Sequence, residues 1–145
     1  MTIEINTEII INATPEKVWK ILTNFDEYPN WNPFIKSIKG QIVIGEKITV
    51  RIEPPEAKGM TFKPKILTLK KDRELSWLGH LSFAGLFDGN HKFELIKSKN
   101  GTTTFIQSEI FRGILVALFK KQLNKNTKNG FIEMNKKLKE RAERE

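Results

Sequence analysis

The sequence predicts an α+β fold in which a curved antiparallel sheet of about seven strands wraps around a long C-terminal helix, with short helices after the first strand. Three observations carry that reading. The chain opens on an alternating strand that runs straight into an amphipathic helix. Six further strand patterns then follow one another without an intervening helix, which favours an antiparallel meander over βαβ units. What remains is one long helical stripe.

In order along the chain, "TIEINTEIIIN" sets Ile3, Ile5, Ile9 and Ile11 at even spacing, with Glu4, Asn6 and Glu8 between them. That is a half-buried strand. "ATPEKVWKILTNF" then offers Thr14 as N-cap, Pro15 at the first helical position and Glu16 in the first turn. Val18, Trp19, Leu22 and Phe25 recur at helical spacing behind them. The next stretch, "NFDEYPNWNPF", holds four aromatic rings and two prolines in eleven residues, too irregular for one element.

"FIKSIKGQIVIGEKITVRIEP" reads as two strands turning at Ile44-Gly45-Glu46, with Ile48, Val50 and Ile52 on one face. "PPEAKG" is a turn or loop. "MTFKPKILTLKKDRELSWLGHL" reads as two strands joined near Lys71-Asp72-Arg73, Pro64 implying an edge position or a bulge. Asn100-Gly101 marks the clearest hairpin. Leu115, Leu118, Phe119, Leu123, Phe131, Met134 and Leu138 form the final stripe. From Leu115 to Arg141 an α-helix would span about 40 Å, long enough to cross the whole sheet. Gly130 interrupts that stripe, and close approach of another backbone, room for a ligand and a slight kink are all open.

The 145 residues fit one domain, 1–145, with enough chain for a real core. No window approaches a membrane span, so stable membrane insertion is not expected, and the N-terminus lacks the features of a signal peptide. The absence of cysteine removes disulfides, thiol nucleophiles and thiolate metal sites, and fits a cytoplasmic location. From Lys120 onward nine Lys or Arg face four Glu, so this segment carries +5 of the formal +8. Nucleic acid is not an expected partner, because Phe119 and Phe131 belong to the apolar stripe and leave no aromatics on the lysine face for stacking. Two histidines at this separation make no metal-ligand spacing, and no phosphate-cradling or dinucleotide motif is present, so neither metal nor cofactor is expected.

The residues "INATPEKVWKILTNFDEYPNWNPFI", "REL.W" at Arg73 to Trp77, "H.FEL" at His91 to Leu95 and "GTTTFIQSEIFRG" at Gly101 to Gly113 together resemble the START-like, helix-grip superfamily. Within it they resemble the polyketide cyclase/dehydrase-type proteins often labelled SRPBCC. The resemblance implies a cavity between sheet and helix for a hydrophobic or amphipathic small molecule, in a monomer or homodimer. It also implies that Tyr28, Trp31 and Phe34 close one end of the grip, either as plug alone or in contact with ligand.

Given such a cavity, strand parity selects its polar groups. Phe87, Gly89, His91, Phe93 and Leu95 share one face of their strand; Phe105, Gln107, Glu109 and Phe111 share one face of the next. If the phenylalanine face looks inward, His91, Gln107 and Glu109 approach the same space, and a buried carboxylate needs such a partner. They are the expected polar anchors of a ligand, with His91 and Glu109 as the weak candidates for a catalytic acid–base pair. The competing readings are a core histidine and a solvent-facing glutamate. Trp31, Phe34, Trp77, Phe93, Phe105, Leu118 and Phe131 are the expected cavity wall, core packing being the alternative for Trp77. Binding, transport or sequestration of a small molecule is the expected function. The alternatives are a cyclase/dehydratase or hydrolase in the same cavity, and an interaction module like the chaperone-ATPase activators.

Overall fold

The computed structural model describes residues 1–81 and 83–144. Strand β1 (Thr2–Ile11) leads through Thr14, whose Oγ1 accepts from the Lys17 N–H, into helix α1 (Pro15–Thr23). A 3-10 turn (Phe25–Glu27) and the short helix α2 (Tyr28–Trp31) follow. The meander then comprises β2 (Ile35–Lys39), β3 (Thr49–Ile52), β4 (Met60–Phe62), β5 (Lys65–Lys70), β6 (Glu74–His80), β7 (Asp88–Lys97) and β8 (Thr103–Arg112). Helix α3 (Lys120–Gln122) and helix α4 (Lys128–Glu143) belong to the C-terminal rod.

The strands form two antiparallel sheets, β1-β8-β7-β6-β5 and β2-β3-β4. The described residues form eight strands because the one expected to carry Pro64 is broken there into β4 and β5. Proline has no N–H for the ladder. Its carbonyl still accepts from Ile48, and Ile66 N–H donates to Glu46 O, so the segment before β3 hydrogen-bonds to β5 and links the sheets. Hydrogen bonds therefore join the two sheets beside Pro64. The β7–β8 turn falls at Gly101, with φ of +76°, as the Asn-Gly signal requires.

The rod packs on β1, β8 and α1, but it is not one uniform α-helix. It starts as a 3-10 turn (Val116–Phe119) and passes through a π-helical segment (Leu123–Thr127) before α4. Leu123, Phe131, Met134 and Leu138 are buried as the stripe requires. Leu118 is not: it is 77% exposed, a correction to the expected wall. With three residues per turn in the 3-10 start, Val116 turns inward in its place and Leu118 turns out.

Gly130 also acquires a reason. A Cβ there would stand 2.8 Å from Cε1 and 3.1 Å from Cγ of Phe34. The missing side chain is the space that the Phe34 ring occupies, edge-on to Phe131.

The aromatic segment is a plug. Tyr28 packs edge-on against Phe25 and Trp31, and its hydroxyl donates to Leu22 O at 2.6 Å. Full burial pushes its phenol well above the usual tyrosine range. Asn32 Oδ1 accepts from the Phe34 and Ile35 N–H groups and so fixes the exit into β2.

Candidate functional site

A cavity of about 660 Å³ lies between β3–β8 and the start of the rod. Gly79 and Gly89, directly paired across β6 and β7, both line it, with Phe62 packed against the first and the Glu109 carboxylate over the second. Trp77, Phe87, Phe111 and Phe119 supply aromatic wall; Leu123 and Thr127 face it from the π segment. Four lysines, Lys47, Lys58, Lys63 and Lys65, also line it, none of them in an ion pair among the described residues. Lys47 and Lys65 are directly opposed across an isolated bridge. Like charges so placed repel, so this solvent-exposed edge of the cavity is biased toward positive potential.

The phenylalanine face of β8 is the inward one: Phe105, Gln107 and Phe111 are all buried. Direct pairing of His91 with Glu109 across β7 and β8 then brings the two side chains together, Nδ1 to Oε1 at 2.9 Å. The histidine side chain is only 4% exposed and the glutamate 13%. His91 Nε2 lies 3.0 Å from Gln107 Oε1. The Gln107 amide donates in turn to Asn135 Oδ1 at 2.8 Å and, more weakly, to Phe131 O at 3.5 Å. Asn135 Nδ2 donates to Thr7 Oγ1, and that hydroxyl donates to Gln107 O.

This is an unbroken polar chain from the cavity wall to the far edge strand. A proton lies along the Nδ1–Oε1 line, since without it two lone pairs would face each other at 2.9 Å. The His91 ring is also held flat against Trp77, 5.3 Å between centroids, and edge-on against Phe131 at 5.0 Å.

Of the ten residues expected at the site, Phe34, Trp77, His91 and Glu109 line the cavity. Phe93, Phe105, Gln107 and Phe131 are buried behind that wall, where Phe93 meets Trp77 edge-on and stacks on Phe105. Trp31 lies in the plug, away from the cavity lining, because α2 folds it back onto Tyr28. Its indole N–H is buried without a partner among the described residues. Leu118 faces solvent.

Thr7 and Asn135 were not anticipated, although each left a signal. Thr7 is the polar residue at the inward parity of β1, and Asn135 the polar residue on the buried stripe of α4. At the cavity's other end His80 Nδ1 meets Asp88 Oδ1 at 2.8 Å, and the Gly85 N–H donates to the same carboxylate. The hydrogen bond from His80, then that from Gly85, hold the Asp88 carboxyl below its usual range. No group of three potential metal ligands occurs among the described residues, and no helix there is long and apolar enough to cross a membrane.

Residues 2–143 match the family described as polyketide cyclase/dehydrase and lipid transport. The chain belongs to that family. No curated protein matches it in sequence. Among solved structures it is similar to the Zhui aromatase/cyclase from Streptomyces sp. R1128, with a TM-score of 0.80 at 12% identity over 99% of this chain and 95% of that one. It is also similar to a norcoclaurine synthase point mutant from Thalictrum flavum, with a TM-score of 0.74 at 11% identity over 98% and 94%. A protein of unknown function from Staphylococcus aureus gives a TM-score of 0.74 at 17% identity over 99% and 95%. At these identities the shared property is the helix-grip fold.

Proposed function

We propose that this member of the polyketide cyclase/dehydrase and lipid transport family binds a hydrophobic or amphipathic small molecule, for transport or sequestration. The observation that carries the reading is the cavity: about 660 Å³, walled by aromatic and aliphatic side chains, with one buried polar pair at its wall. Ligand pockets have this size and this ratio of apolar wall to placed polar groups. Each ligand methylene buried against the wall would contribute about 0.8 kcal/mol. Glu109 and His91 would orient the molecule, with Gln107 holding His91 from behind. The lysines favour neutral or anionic amphiphiles over cationic ones. An interaction module with a filled interior fits less well, since the cavity exceeds the roughly 300 Å³ at which ligand sites begin.

The Glu109–His91 contact supports a second reading, proton transfer to a bound substrate by a cyclase/dehydratase-type enzyme. Glu109→Gln and His91→Ala separate the two: loss of turnover with binding retained favours the enzyme. The binding proposal is tested by native mass spectrometry of the purified full chain and by uptake of N-phenyl-1-naphthylamine, an uncharged apolar fluorophore. A noncovalent small-molecule adduct, or fluorophore uptake by delipidated protein, is expected. Absence of both overturns the proposal.

A further inference from the structure

We infer that the ligand enters the cavity with a neutral hydrogen-bond donor, an alcohol or phenol hydroxyl, at its buried end, and that Glu109 Oε2 accepts from it. This rests on the small-molecule reading above and gives that molecule a head-group chemistry.

The argument follows the polar chain to its end. From Thr7 through Asn135, Gln107 and His91, each member already has a partner, and the last contact occupies Glu109 Oε1. Oε2 is the carboxylate oxygen left on the cavity side. It lies over Gly89, where any Cβ would collide with it, and both residues line the cavity. The absent side chain at Gly89 therefore leaves this oxygen its position.

A proton sits between Nδ1 and Oε1, which leaves Oε2 to present its lone pairs. A ketone, ether or carboxylate placed there would set lone pair against lone pair. A hydroxyl, an amide N–H or an ammonium would satisfy it. Lys47, Lys58, Lys63 and Lys65 in the same lining oppose an ammonium, which leaves a neutral donor such as a hydroxyl. A hydrogen bond to this oxygen adds to the affinity of a donor and not to that of an ether.

The test is competition against N-phenyl-1-naphthylamine on the delipidated full chain, with decanol, decyl methyl ether and decylamine as competitors. Decanol should displace the fluorophore at a concentration about tenfold below that of the ether, given one net hydrogen bond. Decylamine should be weaker than decanol. In Glu109→Leu the alcohol-to-ether ratio should collapse to within about twofold. Glu109→Gln, which keeps the shape but turns an amide N–H donor to the cavity while its oxygen holds His91, should abolish the alcohol preference, and covers the case in which the leucine variant does not fold. Equal displacement by alcohol and ether in the wild type, or a preference that persists in both variants, overturns the inference while leaving the binding function standing. Failure of the fluorophore to enter at all removes both.

Discussion

Replacing Gly130 by alanine should destabilise the protein, against the ordinary rule for helices. In an exposed helix interior the change stabilises by about 1 kcal/mol, because alanine loses less backbone entropy than glycine. Here the new Cβ would lie 2.8 Å from Cε1 and 3.1 Å from Cγ of Phe34, and closer still to Cδ1. Ordinary carbon contacts are about 3.5–4.0 Å, so the ring must retreat by roughly an ångström. It cannot do so freely, since it is buried and edge-on to Phe131 at 5.4 Å. Overpacking of this kind costs about 1–3 kcal/mol, which leaves a net loss of about 1 kcal/mol. Urea unfolding of wild type, Gly130→Ala, Phe34→Ala and the double variant isolates the contact. With the ring removed, Gly130→Ala should stabilise by about 0.5–1 kcal/mol, a coupling of roughly 2 kcal/mol between the two sites. A higher unfolding midpoint for Gly130→Ala alone would refute the reasoning, because it would mean that Phe34 does not occupy the glycine's space.

Gln107→Leu should lower stability by about 3 kcal/mol in the same urea assay, since it strands His91 Nε2 and Asn135 Oδ1 in the core. Tyr28 is the only tyrosine, and burial raises its pKa, so the fold's preference for the neutral phenol is fully present below about pH 10 and is lost as pH rises beyond it. The tyrosinate absorbance should therefore be missing from native protein near pH 11 and appear in one step with unfolding; gradual titration of folded protein would contradict the burial. The Asp88 carboxyl is held low by His80, so its contribution is present above the ordinary carboxylate range near pH 4 and fades as pH falls below it. Asp88→Asn should accordingly narrow the melting-temperature difference between pH 6 and acid, by a small amount because the pair is solvent-exposed, and an unchanged pH profile would show that the pair does not form.

The fold was legible wherever side-chain periodicity is forced by one buried face. The isoleucines of β1, the Thr14-Pro15 start of α1 and the Asn-Gly turn at Gly101 each follow from local chemistry, and each stands where expected. Pro64 was read as an edge or bulge and proved stronger than that, ending one strand and starting another. The inward face of β8 was not legible, because Ile106 and Ile110 compete with Phe105 and Phe111 for the core. Only pairing with β1 and β7 settles it. For the same reason the His91–Glu109–Gln107 group was visible only as a conditional. Asn135 could not be joined to it from sequence, since it sits 28 residues from Gln107 on another element.

The rod shows why the cavity wall was the hardest part to read. A uniform α-helix gains about 40° with every four-residue step, so a face written at positions 123, 127, 131 and 135 would wind off the sheet. The π segment alters that phase. The Lys128 N–H reaches back to Leu123 O, one residue further than an α-helix allows, and absorbs an extra residue in the turn. Leu123 and Thr127 can then face the cavity while Phe131 and Asn135, further along, stay against the sheet. The sequence "LNKNT" carries no proline or glycine to announce this. The wider turn is selected by what it joins: a cavity-lining half of the rod and a half that closes the polar chain behind His91. The irregular backbone is thus the part of the rod that couples an open space to a buried network. A helix built only from local propensity would meet one of those two demands and miss the other.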